Sequence, residues 1–356
     1  MTSEEAQIGE WRERIREAAA RAGALRLKGS GSKDFYGESL AGEVLELGAH
    51  RGILDYEPSE LVVRARCGTR LSELNLTLAR EGQFLAFEPP AFGSDPTLGG
   101  MIAAGLSGPR RAYAGAARDF VLGTRLLDAR GQLLHFGGEV MKNVAGFDVS
   151  RLLCGSLGIL GIITEVSLKV LPLPRHELTL RLELPEAEAL ETFSRLAAQP
   201  LPLSGAAWAG GAAWLRLSGA ASAVSAARTR IGGEAVDEHP ARSFWQQLRD
   251  LALPALAGNS LWRLSVPATA AVLRLPGEAC LDWGGSLRWY AGVPPGTDVR
   301  AAAVAAGGTA LHWRGEAAPG TRFHPLPGVT RELHRRLKER FDPQGVFNPG
   351  RLLSGL

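Results

Sequence analysis

Four glycine-rich segments between Lys28 and Ile163 hold the residue types best suited to chemistry in this sequence. The first, Lys28-Gly29-Ser30-Gly31-Ser32-Lys33, follows directly on a short extended run, Leu25–Lys28. Small residues there let successive backbone N–H groups turn toward a bound anion, and the two lysines add positive charge. The segment fits neither the Walker A pattern nor GxGxxG, since no GK[ST] and no third glycine follow. The second runs from Asp95-Pro96-Thr97-Leu98-Gly99-Gly100 to Gly105-Leu106-Ser107-Gly108. Paired glycines in an apolar, proline-punctuated stretch suit backbone laid against a flat ligand. The third, Gly115 to Gly123, sets a lone carboxylate, Asp119, ahead of an apolar strand. The fourth, Gly155-Ser156-Leu157-Gly158-Ile159-Leu160-Gly161-Ile162-Ile163-Thr164, opens a strand with glycines at three-residue steps. Each alone is compatible with a tight turn; four in this order point to one extended binding surface.

The elements that must position these loops can be read from periodicity. Glu4 to Ala22 carries Ile8, Trp11, Ile15 and Ala19 at helical spacing. Leu25–Lys28 and Leu61–Ala65 read as strands, and Leu71–Arg80 as a helix, an alternation that favours an α/β start. Pro89, Pro90, Pro96 and many glycines predict an irregular path from Phe84 to Gly108. Regularity returns at Val121–Leu127, Leu133–Phe136 and the β-branched run Ile159–Val170, which Pro172 and Pro174 terminate. That proline pair marks a domain boundary. Beyond it, Glu177–Leu184 alternates like a strand, and Pro185–Ala198 reads as a helix with proline at its opening turn. Gly210-Gly211 sits between Trp208 and Trp214–Leu217 as in a hairpin, and Leu261–Val266, Ser286–Ala291 and Thr309–Trp313 are further strands. This is the pattern of an α+β module on an antiparallel sheet. Val329–Phe341 reads as a closing helix.

Composition narrows the function classes. At 356 residues the chain can form two domains with cores of their own, and a net charge of +3 argues against a dedicated nucleic-acid surface. Cys67, Cys154 and Cys280 form no CxxC pair, so no zinc site, iron–sulfur cluster or disulfide framework is expected. The charged, amphipathic N-terminus does not read as a secretory signal, and no run of eighteen apolar residues exists. The expected compartment is the cytoplasm, with any place at the inner membrane reached through a partner.

Further stretches stand in a fixed order around the loops: Leu54-Asp55-Tyr56-Glu57-Pro58-Ser59-Glu60-Leu61-Val62, Cys67-Gly68-Thr69, Glu88-Pro89-Pro90 and Gly108-Pro109-Arg110-Arg111. Arg118 to Arg125, the run from Phe136 to Gly146, and Phe347-Asn348-Pro349-Gly350-Arg351 complete the series. In this order the chain resembles the vanillyl-alcohol-oxidase/PCMH type of FAD-binding domain, which D-lactate and D-2-hydroxyglutarate dehydrogenases share. The resemblance is closer to the smaller flavin subunits of bacterial glycolate oxidases (glycolate dehydrogenases). It covers essentially the whole chain, and the run from Phe136 to Gly146 is its most specific piece.

The resemblance implies an α+β fold: a PCMH-type FAD-binding domain of two α+β subdomains over 1–174, a smaller antiparallel-sheet α+β cap domain over 175–328, and a C-terminal helix and tail, 329–356, returning to the FAD domain. It implies that Gly29, Ser30, Gly31, Ser32 and Lys33 cradle the FAD pyrophosphate. Thr97, Leu98, Gly99 and Gly100, with Pro90, Gly105, Ser107 and Gly108, would run along the flavin and its ribityl chain. Asp119 would sit near the second flavin-contacting segment. Gly158, Gly161, Ile162 and Ile163 would approach the adenosine half, and Asn348 the isoalloxazine ring. Some relatives attach FAD through a histidine in the first loop; Ser32 stands at that position here, which implies non-covalent FAD. The implied partners are a larger FAD-binding subunit and an iron–sulfur subunit, with a small 2-hydroxy acid as substrate.

A flavin dehydrogenase acting on a 2-hydroxy acid needs a cation for the carboxylate and a base for the hydroxyl proton, with the α-hydrogen facing the flavin N5. Related dehydrogenases carry an HxGDGNxH-like metal-binding motif in the second domain. This chain has none, its histidines stand apart, and no metal is expected. The candidate catalytic residues are Arg110 and Arg111 with Tyr113 beside the flavin loops, Arg263 on a strand, and His312 or Arg314 late in the second domain. Three readings stay open: a catalytic or electron-passing flavin subunit, a flavin-bound scaffold, and a stand-alone alcohol or sugar-acid oxidase of the same fold.

Overall fold

The periodic apolar positions of the first helix, α1 (Ser3–Ala20), decide where the chain starts to pack. Ile8, Trp11, Ile15 and Ala18 are buried together with Leu25, Leu45, Val346 and Phe347, so both ends of the sequence share one core. The computed structural model describes residues 3–93, 95–138 and 148–356; most of the Phe136–Gly146 run, from Glu139 on, lies outside them. Strands β1 (Leu25–Lys28) and β2 (Glu43–Glu46) pair in parallel, and Phe347 bridges to Leu25 on the other side.

A five-stranded antiparallel sheet follows, built from β3 (Ile53–Glu57), β4 (Val62–Arg66), β6 (Val121–Leu127), β7 (Leu133–Gly137) and β8 (Ile162–Lys169) in the order β3-β4-β8-β6-β7. Strand β8 is central and buried on both faces from Ile162 to Leu168, with Thr164, Glu165 and Ser167 buried among its apolar residues. It starts at Ile162 rather than at Ile159, because Leu157, Gly158 and Gly161 have positive φ and form a turn before it. Helices α2 (Leu71–Arg80) and α3 (Leu98–Ala104) cover the sheet through Leu74, Leu78, Leu98, Met101 and Ile102. The irregular path expected from Phe84 to Gly108 is thus interrupted by α3. All three prolines precede it, Thr97 caps it by accepting from the Gly100 N–H at 3.3 Å, and Gly105 ends it at φ +63°. Three short helices, α4 (Arg111–Ala114), α5 (Ala117–Phe120) and α6 (Val149–Leu153), fill the links, and β5 (Gln83–Phe84) pairs with β9 (Leu171–Pro172).

The second sheet has eight strands among the described residues: β10 (His176–Glu183), β11 (Leu203–Ala209), β12 (Ala212–Gly219), β13 (Glu234–Val236), β14 (Leu261–Ser265), β15 (Glu278–Asp282), β16 (Leu287–Ala291) and β17 (Thr309–Arg314). Their order is β13-β10-β12-β11-β15-β16-β14-β17. One face packs on α7 (Glu186–Ala197), α8 (Ala221–Ile231) and α10 (Val299–Ala305). The other packs on α9 (Glu238–Arg249) and on Ala104 and Leu106 from the first module, so residues after α3 press directly on this sheet.

The last helix, α11 (Gly328–Phe341), brings the chain home. Its buried Lys338 donates to Asp342 at 2.6 Å and to the carbonyls of Ile159 and Phe347, while Asp342 accepts the N–H groups of Val346 and Phe347. This buried pair fixes the return that places Asn348 and Arg351. No helix among the described residues is long and apolar enough to cross a membrane.

Candidate active site

The loop after β1, the start of α3, the turn before β8 and the C-terminal return converge on a groove of about 910 Å³. Gly29, Ser30, Gly31, Ser32, Lys33, Thr97, Gly99, Gly100, Gly158, Gly161, Ile163 and Asn348 all line it. Residues from segments more than 300 positions apart thereby share one concave surface.

Its glycines are there because side chains do not fit. A Cβ on Gly29 would stand 2.2 Å from Thr97 Oγ1, one on Gly99 2.7 Å from Cys67 Cβ, and Gly31 has φ +76°. Each leaves backbone exposed to the groove where a side chain would fill it. Lys28 pairs with Glu46 at 2.9 Å, so of the two lysines expected to add charge it is Lys33 that remains uncommitted. The Lys33 ammonium is buried against the groove with no hydrogen-bond partner, and burial lowers its pKa to about 8. A buried cation without a hydrogen-bond partner, felt only electrostatically by Asp250, beside a glycine cradle fits an anionic group such as a pyrophosphate.

The C-terminal return builds the wall. Asn348, at φ +43°, accepts from the Leu27 N–H at 2.8 Å and donates to the Leu157 carbonyl at 2.7 Å, tying β1 to the turn before β8. Arg351 donates to the carbonyls of Lys33 (3.1 Å), Asp34 (2.9 Å) and Tyr36, and so holds the first loop from behind. Sequence reasoning gave Arg351 no role; its place in the Phe347–Arg351 stretch was the available signal. Asn348→Ala should lower stability by about 2–4 kcal/mol, since it orphans two backbone groups and puts alanine in the left-handed region. Denaturant unfolding of the flavin-free chain measures this directly.

Other expected ligand-binding residues lie outside the groove. Leu98 and Ile162 are buried in the core. Asp119 accepts the Ala116 N–H at 2.8 Å and shapes its own turn. Gly105 ends α3, where a Cβ would meet Gly155 N at 2.8 Å. Pro90, Ser107 and Gly108 instead line a second, smaller cavity, together with Leu106, Arg249, Arg263, Asp282, Leu287, Trp289 and Trp313.

That cavity separates the catalytic candidates. Arg263 enters it between the rings of Trp283 and Trp289, at 5.3 and 6.0 Å from their centres, and makes no hydrogen bond or ion pair among the described residues. Burial lowers its pKa, which marks a desolvated cation with spare donors. Arg110 has none to spare. It donates to Glu88, to Glu177 at 2.7 Å and to Ser218, and Glu88 also binds Arg216 at 2.9 Å. This cluster joins the first module to the second sheet; although burial opposes it, Arg216 and Arg110 hold the Glu88 carboxyl below its usual pKa. Arg111 lies over the Trp283 ring at 4.3 Å. Tyr113 packs against the β10–β12 side of the second sheet, where burial raises its pKa. His312 stacks on Trp262 at 4.5 Å, on the opposite sheet face from Arg263. Arg314 donates to the carbonyls of Leu256 and Gly258, both at 3.1 Å.

Among the described residues no group of three or more His, Cys, Asp or Glu could hold a metal. All three cysteines are free thiols, and burial pushes that of Cys67, in the groove wall, up to about 12.

The family model described as an FAD binding domain matches residues 6–137. Glycolate oxidase subunit GlcE of Escherichia coli (strain K12) is 46% identical over 345 residues, 97% of either chain. D-lactate dehydrogenase of Anaerostipes hadrus is 32% identical over 139 residues, 39% of this chain and 29% of its own. Glycolate oxidase subunit GlcD of Bacillus subtilis (strain 168) is 33% identical over 128 residues, 36% of this chain and 27% of its own. Among solved structures, an alkyldihydroxyacetonephosphate synthase superposes with a TM-score of 0.64 over 96% of this chain and 75% of its own, at 16% identity, a likeness of fold alone. The chain belongs to the family of glycolate oxidase subunit GlcE, oxidoreductases of the VAO/PCMH type whose cofactor is FAD.

Proposed function

We propose that this chain is a catalytic FAD subunit of a glycolate oxidase complex, oxidising glycolate to glyoxylate and passing electrons to an iron–sulfur partner beside a larger flavin subunit. In this reading 1–174 is the FAD domain, 175–328 the cap and 329–356 the return. Gly29 to Lys33 would hold the pyrophosphate, and Thr97, Gly99, Gly100, Gly158, Gly161 and Asn348 the rest of the groove's ligand. The bound FAD supplies a two-electron acceptor. Among the described residues the groove lining has no histidine, and Cys67 is held as a thiol, which supports non-covalent attachment.

The observation that carries a substrate-oxidising role is Arg263. A partly buried guanidinium with no hydrogen bond or ion pair among the described residues, in a cavity lined by Leu106 to Gly108, offers a two-pronged seat for a small carboxylate beside the segment that follows α3. The absence of a cluster-binding cysteine set in the sequence supports the assignment of one-electron transfer to a partner.

The test is to reconstitute the complex with Gly31→Asp and Gly99→Asp in this subunit, which close the groove. Loss of glycolate-dependent dye reduction with assembly intact is the expected result. Full dye reduction by an assembled complex would sink the catalytic reading and leave a scaffold.

A further inference from the structure

We propose that Asp282 is the base that takes the hydroxyl proton of a 2-hydroxy acid seated on Arg263. The inference rests on the substrate-oxidising reading above and adds to it the residue that completes the chemistry.

Asp282 ends β15, and the register β15–β16–β14 sets Asp282 opposite Leu287 and Arg263 opposite Trp289. Alternation along the strands then puts Asp282, Leu287, Trp289 and Arg263 on one sheet face, the face turned to the cofactor loops. Both the carboxylate and the guanidinium line the same small cavity, whose other walls are Pro90, Phe92, Leu106–Gly108, Arg249 and the apolar side chains of Leu248, Leu251, Leu287, Trp289 and Trp313. One carboxylate oxygen accepts the Trp283 N–H at 2.7 Å, which fixes the group; the other accepts nothing among the described residues. Trp283 is itself anchored, its ring N–H donating to the Gly108 carbonyl at 3.0 Å across the interface. The base is therefore held against the segment that follows α3, the helix whose start lines the groove.

The cavity supplies one anion seat and one proton acceptor, the two polar functions a 2-hydroxy acid requires. In the step, the substrate O–H bond breaks and its proton goes to Asp282. The hydride leaves the same carbon with the electron pair of the broken C–H bond, toward a two-electron acceptor of the flavin class. The carbon–oxygen bond becomes a carbonyl, and Asp282 later releases its proton to solvent.

The charges around Asp282 keep it in range for that task. Burial pushes its carboxyl up to about 7; the Trp283 N–H, Arg216 and Arg263 pull it down and Glu88 pushes it up. Tyr113 and Cys280 face it as neutral groups, and Arg249, across the cavity, is paired with Asp250 at 2.6 Å. Ionisation near pH 7 then makes the base competent as pH rises through that value.

The experiment uses the full FAD-loaded chain and its Asp282→Asn and Asp282→Glu variants. Anaerobic mixing with glycolate should bleach the wild-type flavin at a rate that rises with pH through about 7 and then levels. Asp282→Asn should slow bleaching by about 100-fold or more and lose the inflection. Calorimetric affinity for oxalate, a probe of the Arg263 seat, should stay within about threefold of wild type in this variant, since a base deletion spares ground-state binding. Asp282→Glu should keep an inflection at reduced rate. Difference infrared spectra of wild type should show a protonated-carboxyl band lost across the same pH range and missing in Asp282→Asn. Unchanged bleaching or an unchanged pH profile in Asp282→Asn overturns the base assignment alone. A wild-type chain that holds FAD yet neither binds oxalate nor bleaches with glycolate overturns the substrate-oxidising reading and this one with it. Should Asp282→Asn fail to fold, the Asp282→Glu profile and the wild-type infrared titration decide.

Discussion

The double variant Gly31→Asp with Gly99→Asp is expected to purify folded and colourless. At Gly99 the new side chain starts 2.7 Å from Cys67 Cβ and must push into the groove, a steric cost of about 1–3 kcal/mol. At Gly31, already at φ +76°, an aspartate is tolerated by the backbone, but its Cβ lies 3.2 Å from Asp34 Oδ2. A second carboxylate there faces any incoming phosphate, and like-charge juxtaposition costs several kcal/mol. Together these exceed about 4 kcal/mol, or roughly a thousandfold in FAD affinity. Flavin absorbance per chain after gel filtration, with far-ultraviolet dichroism to check the fold, gives the answer. Lys33→Met should weaken binding less, by about 1.5–3 kcal/mol, the worth of one charged hydrogen bond. The pH dependence has a definite sign. With its pKa lowered to about 8, free Lys33 is increasingly neutral above pH 8, so FAD affinity should fall as pH rises through that value and binding there should take up a proton.

Removing Arg263 should cost almost as much, at a different step. Arg263→Ala is expected to lower oxalate affinity, and the efficiency of glycolate-driven bleaching, by roughly two orders of magnitude, or about 3 kcal/mol. Flavin content should not change, because Arg263 does not line the cofactor groove. Arg263→Lys keeps the charge but loses the planar fork and its place between Trp283 and Trp289, so it should recover only part of the loss. An Arg263→Ala chain that binds oxalate like wild type would remove the guanidinium from the substrate site.

How much of this was legible in the sequence differs by element. The strands Leu25–Lys28 and Val121–Leu127 and the helix Leu71–Arg80 coincide with their periodic patterns, because one apolar stripe or alternation suffices to bury each. Helix α3 was hidden: seven residues containing two glycines have weak intrinsic propensity, and it stands on the Thr97 cap and on packing of Met101 and Ile102. The first loop, the Thr97–Gly100 turn and the Gly158–Gly161 turn were readable as glycine clusters, and they do converge on one groove. Arg351 and Asp282 were not readable. Each acts through contacts with residues distant in sequence, Arg351 on the loop some 315 positions earlier and Asp282 across a sheet register that no local pattern encodes. Arg110 and Arg263 look alike as isolated arginines. Their partners tell them apart, since Arg110 is neutralised by Glu88 and Glu177 whereas Arg263 has aromatic rings for neighbours.

The most direct test of the account is the visible spectrum of the full wild-type chain, purified alone, before and after anaerobic glycolate, with a parallel acid precipitation. The expected result is flavin absorbance that bleaches on glycolate and a yellow supernatant from the acid-treated sample. A flavin-containing chain that glycolate leaves oxidised, or a yellow pellet with a colourless supernatant, would contradict it.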